Sequence, residues 1–304
     1  MAKSAVQYEG RLRGLIRQID RRRDITVTLQ RPGITNYMNL APATEVSAEP
    51  RFPFGANWRR FIATLTDEQI SEAVLSLQRA VRLESLAGMT FLDVGSGSGL
   101  FSLAARKLGA KVCSMDNDPQ SVNCALELKA RYRPGDNGWT IETGSVLDLE
   151  YLRALGRFDI VYCWGVLHHT GDLDRALQNV VISVAANGKL FLSIYNDQGW
   201  RSRYWTFTKR MYNHGAVYRG AIILAFVPLM LGPRYAVRAF VRRPSQGRGM
   251  SMWHDALDWL GGYPFEVAKP DQVISLIESH GLRLEHLKSV GNRGDCNQFL
   301  FTRG

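Results

Sequence analysis

Residues 91–105 read FLDVGSGSGLFSLAA and carry three glycines at alternate positions, Gly95, Gly97 and Gly99. An apolar, strand-like run precedes the glycines and an apolar, helix-like run follows them. Glycines at such a junction let the backbone turn tightly and approach a ligand without Cβ clashes. Taken alone, the loop leaves alternatives open. Dinucleotide dehydrogenases use a related turn, and some glycine turns serve only close packing. Two acids narrow the choice: Asp93, two residues before the first glycine, and Asp116, at the end of the next strand-like run (AKVCSMD, 110–116). A carboxylate about 20 residues beyond such a loop is placed to accept ribose hydroxyls.

Outward from this stretch the pattern repeats. Strands are predicted over 89–95, 110–116, 139–145, 158–164 and 188–195, with helices over 98–109, 118–132, 148–156 and 172–186 between them. Short apolar runs separated by helices are the mark of βαβ units and a parallel sheet. A helix opens after Thr66 with acids in its first turn and runs to about residue 85. A further helix is expected over 269–281, and two strands close in sequence, 282–291 and 297–303, suit an antiparallel end to the sheet. A basic helix over 5–23 and irregular chain over 25–55 with one short strand (ITVTLQ) precede the core.

The chain has 304 residues and 45% hydrophobic content, which is normal for a globular protein. Its four cysteines are widely separated, and its first residues lack the apolar core of a secretory signal. The expectation is a reduced, cytoplasmic setting with no disulfide or zinc framework. The six histidines form no HxxxH set, so no metal is expected. His254, Asp255 and Asp258 read as a partly exposed helix face. The formal net charge is +10, from 38 basic and 28 acidic residues. Residues 198–254 hold ten Lys and Arg and no Asp or Glu, so the whole excess sits in one segment. That asymmetry points to a local anionic partner.

The pattern Asp-x-Gly-x-Gly-x-Gly with Asp116 resembles the class I S-adenosylmethionine (SAM)-dependent methyltransferases. TGSVLD (143–148), FDIVYCWGVLHHTGD (158–172) and GKLFLSIY (188–195) match that family's segments in order, and the closest flavour is the small-molecule enzymes of ubiquinone-biosynthesis type. The resemblance implies an α/β, Rossmann-like, doubly wound sheet of seven mostly parallel strands with an antiparallel last strand. It divides the chain into an N-terminal cap (1–65), a SAM-binding core (66–195), a lid (196–268) and the end of the core (269–304). It implies that Gly95, Gly97 and Gly99 line the methionine end of SAM and that Asp93 helps hold its amino group. Asp116 would take the ribose and Asn117 would flank the adenine. Ser145 and Val146 would meet the adenine edge, and Trp164 with Gly165 would border the donor methyl. The product would be S-adenosylhomocysteine.

His168 and His169 lie just past the fourth strand, where α/β sheets bind ligands. Histidine suits proton removal from a hydroxyl acceptor near neutral pH; the alternative is that they cap the next helix or pack under the sheet. Asp172 reads as that helix's N-terminal acid. Candidate acceptor contacts are Trp58, Tyr195, Asn196 and Tyr204, with Trp58 either closing over SAM or packing on the sheet edge. The lid is rich in aromatics, and its apolar run over 220–232 is shorter than the roughly 20 residues a bilayer span needs. It has three readings: a self-packed lid, a lid touching a lipid-like acceptor or an anionic membrane through 196–254, or a surface for another anionic partner such as nucleic acid. The favoured function is methylation of a small or lipid-linked acceptor, on a hydroxyl oxygen. The rivals are an RNA methyltransferase and a SAM-binding docking protein without turnover.

Overall fold

A computed structural model describes residues 51–241, 252–291 and 295–304. The expectations for the basic helix and for the chain before residue 51 lie outside those residues. A seven-stranded sheet runs through the core in the order β3-β2-β1-β4-β5-β7-β6. Its strands are β1 (Thr90–Val94), β2 (Lys111–Asp116), β3 (Trp139–Thr143), β4 (Phe158–Trp164), β5 (Val184–Tyr195), β6 (Leu282–Lys288) and β7 (Cys296–Arg303). The first five are parallel, and β7 enters antiparallel between β5 and β6. The strand order reverses between β1 and β4, the switch point at whose carboxyl ends α/β sheets bind ligands.

The helices are α1 (Phe54–Ala63), α2 (Asp67–Val81), α3 (Leu100–Lys107), α4 (Pro119–Tyr132), α5 (Leu149–Leu155), α6 (Leu173–Val181), α7 (Trp200–His214), α8 (Ala216–Val241), α9 (Met252–Gly261) and α10 (Pro270–Ser279). Local chemistry explains their ends. Thr66 and Gln69 form a reciprocal capping box at the start of α2. The helix stops four residues earlier than predicted because Arg82 takes a left-handed backbone, φ 58°. Asp118 and Asp148 cap α4 and α5 through their carboxylates. The helix expected through 186 ends at Val181, and β5 begins at Val184. There Ser183 O accepts the Phe158 amide at 2.8 Å and Val184 pairs with Phe158, so strand pairing inside the sheet outweighs the helix preference of two alanines.

Two apolar layers cover the sheet. One joins α6 and α10 to Leu92, Val161, Leu192 and Phe299; the other joins α1, α2 and α3 to Phe91, Tyr162, Phe191 and Leu300. Phe61 and Ile62 of α1 are buried in the second layer, and burial of such a side chain stabilises by roughly 1.5–3 kcal/mol. The helices α7, α8 and α9 have a small core of their own, around Tyr212, Val227, Ala256 and Leu260. The chain leaves the sheet at Tyr195 and returns at Ala268, whose amide donates to Tyr195 O at 3.1 Å. Among the described residues no helix is long and apolar enough to cross a membrane.

Candidate active site

The glycine loop after β1 is held against β2. The amides of Gly95 and Ser96 donate to Met115 O at 2.8 and 3.0 Å, and that of Gly97 donates to Asp116 Oδ2 at 2.9 Å. Gly95, Gly97 and Gly99 have φ values of 68°, 53° and 78°. A Cβ on Gly95 would stand 2.4 Å from Val166, and one on Gly97 would stand 2.8 Å from the Trp58 indole nitrogen. Close packing and a ligand-facing backbone are therefore satisfied by the same residues. Ser96 Oγ, between the first two glycines, is buried and has no hydrogen-bond partner.

Asp116 accepts from Gly97 with one oxygen and from the Asp118 amide, at 2.9 Å, with the other. Burial pushes its carboxyl up to about 6, opposed by these bonds. Asn117 is exposed beside it. Gly144 donates to Asp116 O, which brings Ser145 to the same edge, whereas the Val146 side chain belongs to the core. Asp93 is sequestered. Its carboxylate is 2.5 Å from Ser102 Oγ, which is 2.6 Å from Ser114 Oγ, which is 2.7 Å from the Trp139 indole nitrogen. Desolvation raises Asp93 to about 7, against the Ser102 hydrogen bond.

Helix α1 lies over this edge. The Gly55 amide donates to Asp118 Oδ2 at 2.9 Å, Trp58 reaches Gly97, and Asn57 Nδ2 donates to Asp258 of α9 at 2.6 Å. Trp58 thus touches the glycine loop, although it also packs against the second apolar layer.

The histidines form a short 3₁₀ turn, Leu167–His169, after β4. His168 is 1% exposed. It is hydrogen-bonded to the Ser193 backbone, while its Nδ1 is buried without a partner. His169 Nδ1 lies 2.6 Å from Pro264 O. A carbonyl accepts only, so Nδ1 of His169 carries the proton and Nε2 the lone pair, a tautomer assigned from the partner. Desolvation drives His168 well below its ordinary value and His169 down to about 3, with Lys209 adding to both. The imidazoles lie 4.4 Å apart, and Tyr195 is 4.3 Å from His168.

The segment returning from the lid is stitched to this turn. Glu266 N donates to His168 O at 2.9 Å, and the Glu266 carboxylate accepts from the Gly171 and Leu173 amides at the start of α6. Asp172 caps α6 as expected, accepting from Arg175 N. Tyr195 joins the histidines, and Trp164, four residues before His168 at the end of β4, pairs with Ser193. Asn196 is instead committed to Gly291 O and Asn297, and Tyr204 is 47% exposed with its ring against Trp205. Sequence reasoning missed Val166, Ser96, Phe265 and Lys209. For Lys209 there was a signal: it falls four residues from Trp205 and three from Tyr212, on a face of α7 that the aromatics mark as buried.

A family described as "Methyltransferase domain" matches residues 65–223, just over half of the chain. The ubiquinone biosynthesis O-methyltransferase of Xanthomonas euvesicatoria pv. vesicatoria (strain 85-10) is 36% identical over 119 residues, 38% of this chain and 47% of that protein. A protein of the same description from Coxiella burnetii (strain Dugway 5J108-111) is 33% identical over 113 residues, 37% of this chain and 46% of its own length. The chain spans about half the length of the curated relatives it matches. The solved structure of PKMT2 from Rickettsia typhi in complex with AdoHcy aligns with a TM-score of 0.51 at 16% identity, covering 76% of this chain and 52% of that one, a likeness of fold. With the domain match spanning the glycine loop, Asp116 and the histidine turn, the chain belongs to the methyltransferase-domain family.

Proposed function

We propose that this protein methylates a hydroxyl oxygen on a small, apolar or lipid-linked acceptor admitted under the lid. The residues present fit the donor. Asp116 has an acceptor on each oxygen already engaged by an amide, and a carboxylate offers about four such sites, so lone pairs remain for two ribose hydroxyls. The unpartnered Ser96 Oγ supplies a further polar contact within the loop. Gly95, Gly97 and Gly99 let the backbone meet the ligand, with Asn117 and Ser145 at the adenine edge and Trp58 closing over Gly97. Bound there, S-adenosylmethionine supplies an electrophilic methyl group on a sulfonium.

The protein's own work is alignment and proton removal. The observation that carries the reading is His168 Nδ1, a buried lone pair without a partner at the tip of β4. The bond to the Ser193 backbone holds the ring so that this nitrogen accepts the hydroxyl proton. His169, fixed by Pro264 O and backed by the Gly262 backbone, keeps the pair oriented. Tyr195 and Phe265, 4.9 Å apart, exclude water. His168→Gln should leave SAM affinity intact while methyl transfer falls about 10²–10⁴-fold. Turnover within a factor of about three of the parent would remove His168 from this role.

Lid chemistry supports peripheral contact with an anionic membrane. Trp200, Phe207, Val217, Leu224 and Leu229 are each more than 60% exposed, within the segment that has basic but no acidic residues. Flotation with vesicles containing phosphatidylglycerol tests this: the protein should float with them and sink with neutral vesicles. Equal recovery from both would reject the electrostatic contact.

A further inference from the structure

Lys209 is completely buried, with its ammonium donating to Trp259 O. The nitrogen lies 4.7 Å from the ring centres of both Trp259 and Phe265 and 5.8 Å from that of Tyr195. The Tyr195 ring also neighbours the histidine pair, 4.3 Å away for His168 and 6.0 Å for His169. Three nitrogen bases, one from the lid and two from the β4 turn, therefore share one aromatic box. Rings attract a cation, but they replace hydration only in part. The groups that favour charge on Lys209 are Asp258 of α9 and the Cys296 thiol of β7. Asp258 also receives Asn57 of the cap. On the other side, Glu266 spends its carboxylate on the amides of α6 rather than on either imidazole.

We propose that Lys209 is a positioning residue for the base: its ammonium and an imidazolium exclude one another from the box, so the lid, once docked, keeps His168 and His169 neutral with their lone pairs available. Like charges in a desolvated site disfavour each other. Burial brings Lys209 itself down to about 7, which fits a site that holds one positive charge with difficulty and two hardly at all. Tyr195 neighbours both the lid lysine and the histidine turn, so loss of the Lys209 charge would shift both histidines upward. The inference rests on the assignment of the histidines as base, but the charge coupling is measured without turnover.

The test is a side-chain NMR titration of the histidines in the full chain, with the pH profile of kcat/KM measured alongside. Lys209→Met removes the charge at similar length, and Lys209→Gln removes it while keeping a donor for Trp259 O. Lys209→Arg keeps a permanent charge. Met and Gln should each move the histidine midpoint up by about one pH unit and carry the acid limb of the profile with it, while Arg should not raise it. Midpoints within about 0.3 pH unit of the parent in both neutral variants, or an unmoved acid limb, would overturn the proposal. Failure of the base assignment shows separately, as undiminished turnover in His168→Gln.

Discussion

Gly95 and Val166 join the cofactor loop to the histidine turn, and a double substitution measures that joint. In Gly95→Ala the new methyl would stand 2.4 and 2.5 Å from the two Val166 methyl carbons, on a backbone with φ 68°. The left-handed backbone costs an L-residue roughly 1–2 kcal/mol, and overpacking a filled site adds about 1–3 kcal/mol. The single variant should therefore lose about 2–5 kcal/mol of a total stability on the order of 5–15 kcal/mol, and still fold. Val166→Ala removes both obstructing methyl groups from a half-buried side chain, at about 1 kcal/mol. In the double variant the backbone cost persists and the overlap shrinks to a tight 3.0 Å approach to the Cβ of residue 166. It should be more stable than the sum of the singles predicts by about 1–3 kcal/mol. Urea denaturation followed by near-ultraviolet circular dichroism, with calorimetric SAM binding on each variant, reads the cycle. Additivity within about 0.5 kcal/mol would refute the contact between the loops.

The Asp93 carboxyl sits at about 7 in the fold, above its ordinary 3.8. Its contribution to stability is thus fully present below pH 3.8 and is lost as the pH rises through about 7, by up to roughly 4 kcal/mol. Asp93→Asn, which does not titrate, should flatten that part of a plot of urea midpoint against pH; an unchanged slope would place the charge dependence elsewhere. Trp58→Ala should weaken SAM binding by about 1–3 kcal/mol if the indole covers the Gly97 side of the site. Binding equal to the parent's, measured by calorimetry, would leave only its packing against the core.

Much of the sheet was legible because β1, β2 and β4 are short, largely apolar runs that meet glycine or aspartate at their ends, and α4, α5 and α6 carry aspartate caps. The exceptions are informative. At residues 182–187 a helix-like composition yields to strand pairing with Phe158, a contact between segments far apart in sequence. The cofactor loop was legible because its glycines serve local backbone geometry. The histidine turn was legible only as a place. What makes His168 and His169 a pair is supplied by Ser193, Pro264, Tyr195 and Lys209, brought together by a lid that leaves at 196 and returns at 268. Tyr204 shows the converse: an aromatic in the right segment, but on the face of α7 turned to solvent.

The buried row from Trp139 to Asp93 has a direction. An ionised carboxylate can only accept, so Ser102 gives its hydrogen to Asp93 and must take one from Ser114, which in turn receives the Trp139 indole N–H. An acceptor on β1 and a donor on β3 thereby orient the two hydroxyl rotors between them. When Asp93 takes up a proton that anchor is lost, and the row can run the other way with Asp93 as the donor. The polarity of the interior beneath the glycine loop turns on the charge of one carboxyl.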